Sequence, residues 1–114
     1  NGSIALREMK AEGGWGVVSM QITEIGPDAD MANHPMDRIW SDHDVPHHAK
    51  QVERIKQHGS LSAIELAHGG IRSRNLSSGL PVLSPSDLPV LRQEVPAQGR
   101  AMDLSDIRVL PLCG

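Results

Sequence analysis

The sequence predicts an α/β fold built around one strand–helix–strand unit with parallel strands. Two short runs rich in aliphatic residues, at 15–22 and 60–66, are each bounded by glycine and read as strands. Between them, residues 44–58 carry an amphipathic helical pattern with a start signal and a stop signal. A strand, a helix and a strand within about 50 residues make a βαβ unit, whose strands run parallel with a right-handed crossover.

Each element has a local reason. Ile4 to Glu12 reads as the end of a helix, with Ile4, Ala5, Glu8 and Met9 at turn-like spacing. Gly13-Gly14 stops it, because glycine enters the left-handed conformation without a Cβ penalty. Trp15 to Ile22 is the first strand, and Gly26-Pro27 marks a turn within a polar loop over 23–40. Asp44-Val45-Pro46 opens the helix: Asp can cap free N–H groups and Pro is tolerated in the first turn. Val45, Ala49, Val52 and Ile55 form its apolar stripe, with Lys50, Glu53, Arg54 and Lys56 elsewhere on the surface. Gly59 ends it, and Ser60 to Leu66 is the second strand. From Gly69 to Ala101 the composition turns to Gly, Pro and Ser, including Pro81, Pro85, Pro89 and Pro96. So long an irregular excursion is usually functional or disordered. Met102 to Ile107 looks like a capped helix start that Pro111 soon interrupts.

Composition narrows the function. Of 114 residues, 39% are hydrophobic and 22% charged, which is ordinary globular usage. The aromatics depart from it, with two Trp, no Phe and no Tyr, so a core here depends on aliphatic residues. This, and the absence of an initiator Met at Asn1, lead us to expect a piece of a longer protein that does not act alone. A net charge of −3 and a pI near 6.0 give no electrostatic basis for nucleic-acid binding. No apolar run approaches the roughly 20 residues that span a bilayer, and no signal peptide is evident. The single Cys113 excludes an internal disulfide and suits a reducing, cytoplasmic setting.

Parallel strands place their C-terminal ends on one edge, where α/β folds build sites. Alternation puts Leu61, Ala63 and Glu65 on one face of the second strand, and Val17, Ser19 and Gln21 on one face of the first. Val18, Met20 and Ile22 form the opposite, apolar face, suited to a helix layer, so Gln21 and Glu65 are expected to point inward. An inward carboxylate needs a donor, either a ligand group such as the N3–H of a flavin or a structural Arg or Lys. His43 and His47, four apart beside Asp44 and His48, have zinc-chelating spacing, but their place at a helix start favours plain solvation and no metal is assigned. The glycines of His68-Gly69-Gly70 either let backbone approach a ligand or simply make a turn. Gly13-Gly14-Trp15-Gly16 precedes a strand and is not a phosphate loop.

Ile39-Trp40-Ser41-Asp42, the helix after it, Gly59-Ser60 and Glu65-Leu66-Ala67-His68-Gly69-Gly70 together resemble the old yellow enzyme family. Lys10-Ala11-Glu12-Gly13-Gly14-Trp15, Glu65 in place of a more common glutamine, and Met102 to Ile107 resemble its trimethylamine, dimethylamine and histamine dehydrogenase branch. The resemblance covers roughly residues 5–107. It implies a partial (β/α)₈ barrel, from the first helix to the start of the third, with residues 69–101 a long excursion after the second strand of a flavin-binding fragment over 1–114.

The resemblance further implies FMN as cofactor, a small-molecule substrate and, for the complete enzyme, room for a homo-oligomer. Glu65 is expected at the flavin pyrimidine edge, backbone near Ile22 against the ring, and Gln21 and His68 around it. Ile22 stands where the branch carries an aromatic residue of a cation-binding bowl, which disfavours trimethylamine and leaves N-methylated amino acids, betaines or another reducible substrate. Position 71 is Ile where many relatives have Arg, with Arg72 and Arg74 following. The branch's flavin-linking cysteine is expected before Asn1, and its catalytic His/Tyr/Asp set and iron–sulfur cysteines after Gly114, so no catalytic residue is assigned and Cys113 takes neither role. Arg108 to Gly114 departs from the family's helix. The expected function is part of an FMN-dependent oxidoreductase acting on an amine or N-methylated substrate, or of a related NAD(P)H:flavin oxidoreductase. The alternatives are a non-catalytic remnant and a small metal-binding module on His43, His47 and His48.

Overall fold

The computed structural model describes residues 2–32, 34–89 and 99–109. Pro96, Pro111 and Cys113 lie outside the described residues, as do both terminal residues. Helix α1 (Gly2–Glu12) is followed by strand β1 (Val17–Glu24), strand β2 (Asp37–Arg38), helix α2 (Val45–Lys56) and strand β3 (Leu61–Ala67). A single 3₁₀ turn (Gly70–Arg72), strands β4 (Leu83–Ser84) and β5 (Arg100–Ala101), and helix α3 (Leu104–Val109) complete the order. The larger sheet is three-stranded, β2-β1-β3; β4 and β5 form a separate pair.

β1 and β3 are parallel, as expected for a βαβ unit. The Leu61 N–H donates to Gly16 O where both strands begin (2.9 Å), and the Ile25 N–H donates to Ala67 O where both end (3.2 Å). The expected strands are displaced by two residues and one residue respectively. The first begins at Val17 because residues 14–16 belong to the turn that ends α1. Gly14 sits at φ +88°, its N–H donates to Ala11 O (3.0 Å), and the Trp15 N–H reaches back to Lys10 O (3.3 Å). This is the Schellman pattern, which satisfies the last helical carbonyls. Lys10 Nζ lies 5.5 Å from the centre of the exposed Trp15 ring.

The chain divides into two compact units, one of residues up to Thr23 together with Asp37–Leu66, the other of Glu24–Met36 with the residues from Ala67 onward. In the first, Ala11, Val18 and Ile55 form the apolar cluster. Arg54 of α2 donates to Glu8 of α1 (2.9 Å), and Arg7 Nε of α1 donates to the Ser19 carbonyl (3.2 Å).

Helix α2 departs from the sequence expectation in two ways. Ile55 is buried, but Val45 is 50% exposed and Ala49 is exposed; the remaining inward positions are His48 and Gln51. Polar side chains occupy this face because polar partners meet them: His48 Nε2 lies 2.7 Å from the Arg38 carbonyl, and the Gln51 amide 2.9 Å from His47 Nε2. Asp44 stands at the cap position but makes no side-chain cap bond. Its carboxylate instead accepts from Arg38 Nε (2.9 Å) and from the Ser41 N–H and hydroxyl (3.1 and 2.9 Å). The loop over 23–40 is not wholly irregular either, since β2 pairs with the edge of β1 away from β3.

The second unit is organised by short elements. β4 and β5 pair in parallel, Leu83 with Arg100 and Ser84 with Ala101. Backbone bonds from Arg100 to Val82 O (2.7 Å) and from Met102 to Ser84 O (2.8 Å) hold them. The expected capped start is present: Asp103 Oδ1 accepts from the Ser105 and Asp106 N–H groups (2.7 and 2.9 Å), and Asp106 Oδ2 accepts from the Asp103 N–H (2.9 Å). That reciprocal arrangement is a capping box with Asp in the third position. Among the described residues no helix is long and apolar enough to cross a membrane.

Candidate functional site

The bond from Leu61 N–H to Gly16 O fixes the register of β1 and β3. In a regular parallel ladder it sets Val17, Ser19 and Gln21 opposite Leu61, Ala63 and Glu65, all on one face. That face is open: Val17 is 54% and Leu61 66% exposed, and Gln21 and Glu65 are exposed too. The opposite face of β1 is closed, with Val18 and Met20 buried and Ile22 half-buried. The burial alternation leaves Gln21 and Glu65 exposed near the C-terminal ends of the two parallel strands and sets the Ile22 side chain on the other face of β1; on β3, Ile64 and Leu66 are exposed as well.

β1 does not stay regular to its end. The same ladder would bring the Glu24 N–H to Ala67 O, yet the Ile25 N–H makes that bond, so β1 carries one residue more than β3. The extra residue explains why the consecutive Thr23 and Glu24 are both buried. Thr23 Oγ1 donates to the Gln21 carbonyl (3.0 Å), fixing the backbone beside the open face. Strict alternation gave no sign of Thr23, because a bulge breaks the period on which that reading depends.

His68 belongs to the second unit. Its Nδ1 accepts from the Gly70 N–H (2.9 Å), and its Nε2 lies 3.4 Å from Asp28 Oδ2. Nδ1 is thereby bonded within its own loop, while Nε2 is buried without a hydrogen-bond partner. The two glycines beside it are used internally as well. A Cβ on Gly69 would stand 2.5 Å from both Met31 Cγ and Ser73 Oγ, and Gly70 has φ +52°. Glu24 Oε1 accepts from the Met31 N–H (3.0 Å), and the Asp30 carbonyl accepts from the Arg74 N–H (2.6 Å). Asp28, Glu24 and Asp30 were missed in the sequence because a polar loop has no periodicity; Gly26-Pro27 signalled the turn but not its partners.

The histidines at the start of α2 are committed elsewhere. His48 is 5% exposed and bonded to the Arg38 carbonyl; His47 lies between Gln51 and Asp37, 3.7 Å from the latter. Among the described residues, no group of three or more His, Cys, Asp or Glu is placed to hold a metal ion. Burial pushes the Asp44 carboxyl up, but the bonds from Arg38 and Ser41 outweigh that and hold it below the usual carboxylate value.

Known proteins share the fold of this chain. The profile of the NADH:flavin oxidoreductase / NADH oxidase family matches residues 2–110. A dimethylamine dehydrogenase from Hyphomicrobium sp. (strain x) is 38% identical over 82 residues, which is 68% of this chain and 11% of the relative. The structure of histamine dehydrogenase from Rhizobium sp. 4-9 superposes on 93% of the chain with TM-score 0.85 and 34% identity, using 16% of that protein. The 6-hydroxypseudooxynicotine amine oxidase from Pseudomonas geniculata N1 gives TM-score 0.85 and 35% identity over 93% of this chain and 16% of its own. The chain therefore spans a small part of each of these relatives.

Proposed function

Because this chain belongs to the NADH:flavin oxidoreductase / NADH oxidase family, we propose that the open face of β1 and β3 contributes to the FMN site of an oxidoreductase acting on an amine or N-methylated substrate. The observation behind this reading is that Gln21 and Glu65 are both exposed near the C-terminal ends of the parallel strands β1 and β3, with Val18 and Met20 buried on the reverse of β1. A carboxylate beside a carboxamide suits the pyrimidine edge of a flavin, which alternates N–H donors with carbonyl acceptors. Glu65 accepts from the ring N–H, Gln21 donates to a ring carbonyl, and the backbone at Ile22, next to the Thr23-held Gln21 carbonyl, borders the ring. His68 acts at one remove, through the turn it holds. FMN supplies the acceptor for a hydride equivalent from substrate, while the protein supplies position and electrostatics.

The amine assignment draws on the dimethylamine dehydrogenase, histamine dehydrogenase and amine oxidase relatives. Aliphatic Ile22, its side chain on the closed face of β1, offers no ring face to a methylammonium cation, which disfavours trimethylamine and leaves N-methylated amino acids, betaines or another reducible substrate. A cytoplasmic enzyme without a nucleic-acid partner, self-associating when complete, accords with the charge and with the small-molecule chemistry. Within it, residues 69–101 form an excursion of the barrel.

Glu65→Ala in the intact protein is expected to weaken FMN binding about ten- to a hundredfold, the loss of one charge-assisted hydrogen bond at roughly 1.5–3 kcal/mol. Fluorescence titration of the apoprotein with FMN measures it. An unchanged affinity would mark Glu65 as a structural residue.

A further inference from the structure

We infer that His68 and Asp28 form a proton-sensitive latch between the loops that leave the C-terminal ends of β1 and β3. Asp28 follows β1 by a Gly26-Pro27 turn, closed by the Ala29 N–H donating to Gly26 O (3.0 Å), and Ala29 is fully buried. His68 follows Ala67, the last residue of β3. The Gly70 N–H can donate only to an unprotonated Nδ1, so the neutral ring must carry its proton on Nε2. That Nε2 is buried and 3.4 Å from Asp28 Oδ2, close but too poorly directed to count as a hydrogen bond. The resting latch thus has one well-made bond, to Gly70, and one pair of groups near but not engaged.

A second proton on the ring reverses this. Nδ1 becomes a donor facing another donor, so the bond to Gly70 is lost. The imidazolium is drawn to the Asp28 carboxylate, and the strong contact passes from one loop to the other. The surroundings allow few intermediate positions. Gly69 is closely packed by Met31 and Ser73, and the Asp28 carboxylate is folded back so that a Cβ on Gly26 would be 2.6 Å from its Oδ1. Asp28 is the charged group facing the ring from the 26–29 turn. The 3₁₀ turn carries exposed Arg72, while Glu24 accepts from Met31 within the first loop and Asp30 accepts from Ser77 of the second. C-terminal strand edges are where barrel folds place their sites, which makes both loops site-bordering ones. His68 and Asp28 are positioning residues, and nothing in the latch depends on which substrate is used.

The test is amide hydrogen exchange at Gly70 in the intact protein, corrected for intrinsic rates, between about pH 8 and about pH 5, the range in which imidazole takes up its second proton. Wild-type protection is expected to fall about tenfold or more toward the acid end. His68→Asn is the informative variant, because an Asn side-chain oxygen accepts from the N–H two residues on and does not titrate. It should keep Gly70 protected at both pH values, whereas His68→Leu should leave it unprotected at both. Wild-type protection that is equal at the two pH values would overturn the latch, whether or not the variants fold. So would His68→Asn showing the wild-type pH dependence.

Discussion

In the helix-and-strand unit, Ala11, Val18 and Ile55 meet in an apolar cluster, and α1 and α2 are tied by Arg54 and Glu8. In the loop unit the buried apolar residues among those described are Ala29 and Val82, and much of the hold comes from Glu24, Asn75 and Ser84. Asn75 shows the style of the second unit: it sits at φ +48° and donates from its amide to the Leu80 and Pro81 carbonyls (3.0 and 3.4 Å). Both units bury polar side chains, and what sets the first apart is its apolar cluster. Damage should therefore be graded by volume in one and by fit in the other.

The largest effect is expected at Ile55, which is fully buried. Ile55→Ala removes apolar contact and leaves a cavity, costing about 2–5 kcal/mol in denaturant melts of the intact protein. A cost near zero would mean the cluster is not the core of its unit. In the loop unit Gly69→Ala adds a single carbon where Met31, Ser73 Oγ and the Ser73 N–H leave no space, at 2.5, 2.5 and 3.0 Å. A cost of about 1–3 kcal/mol follows from overpacking. A neutral substitution would show that this loop yields more readily than its contacts suggest.

The smallest effect concerns a polar contact inside the first unit. Asp44 is held below its ordinary value of 3.8 by Arg38 and Ser41, against the opposing effect of burial. A depressed carboxyl contributes stability that is present above the unfolded value and is lost as pH falls through the folded one. Asp44→Asn should thus be less stable than wild type at neutral pH, and the gap should close as melts are taken below about pH 3.8. A gap independent of pH would assign the effect to packing.

The same contrast explains what the sequence disclosed. Helix α1 and its glycine stop, both long strands, their parallel course and the Asp103 cap follow from periodicity and turn chemistry, which are local. The stripe on α2 was misread because His48 and Gln51 are inward only by virtue of partners on residues 38 and 47, and an apolar count cannot see partners. Asp44 was read as a cap because its position fits one, while Arg38 and Ser41 compete successfully for its carboxylate. For the site, alternation put Gln21 and Glu65 on exposed strand positions but stopped at the bulge, which hid Thr23. His68 was visible as a residue of interest, yet its link to Asp28 joins two loops 40 positions apart, with no repeating pattern between them to signal it.

The central claim is that the Glu65 carboxylate meets a flavin N–H on the open strand face. Its most direct test is a cycle pairing wild type and Glu65→Ala apoprotein with FMN and with FMN methylated at N3, where the donor is absent. Wild type is expected to bind the methylated flavin about ten- to a hundredfold more weakly than FMN, while Glu65→Ala binds the two alike. An equal penalty for methylation in both proteins would contradict it, because the lost donor would then have no partner at Glu65.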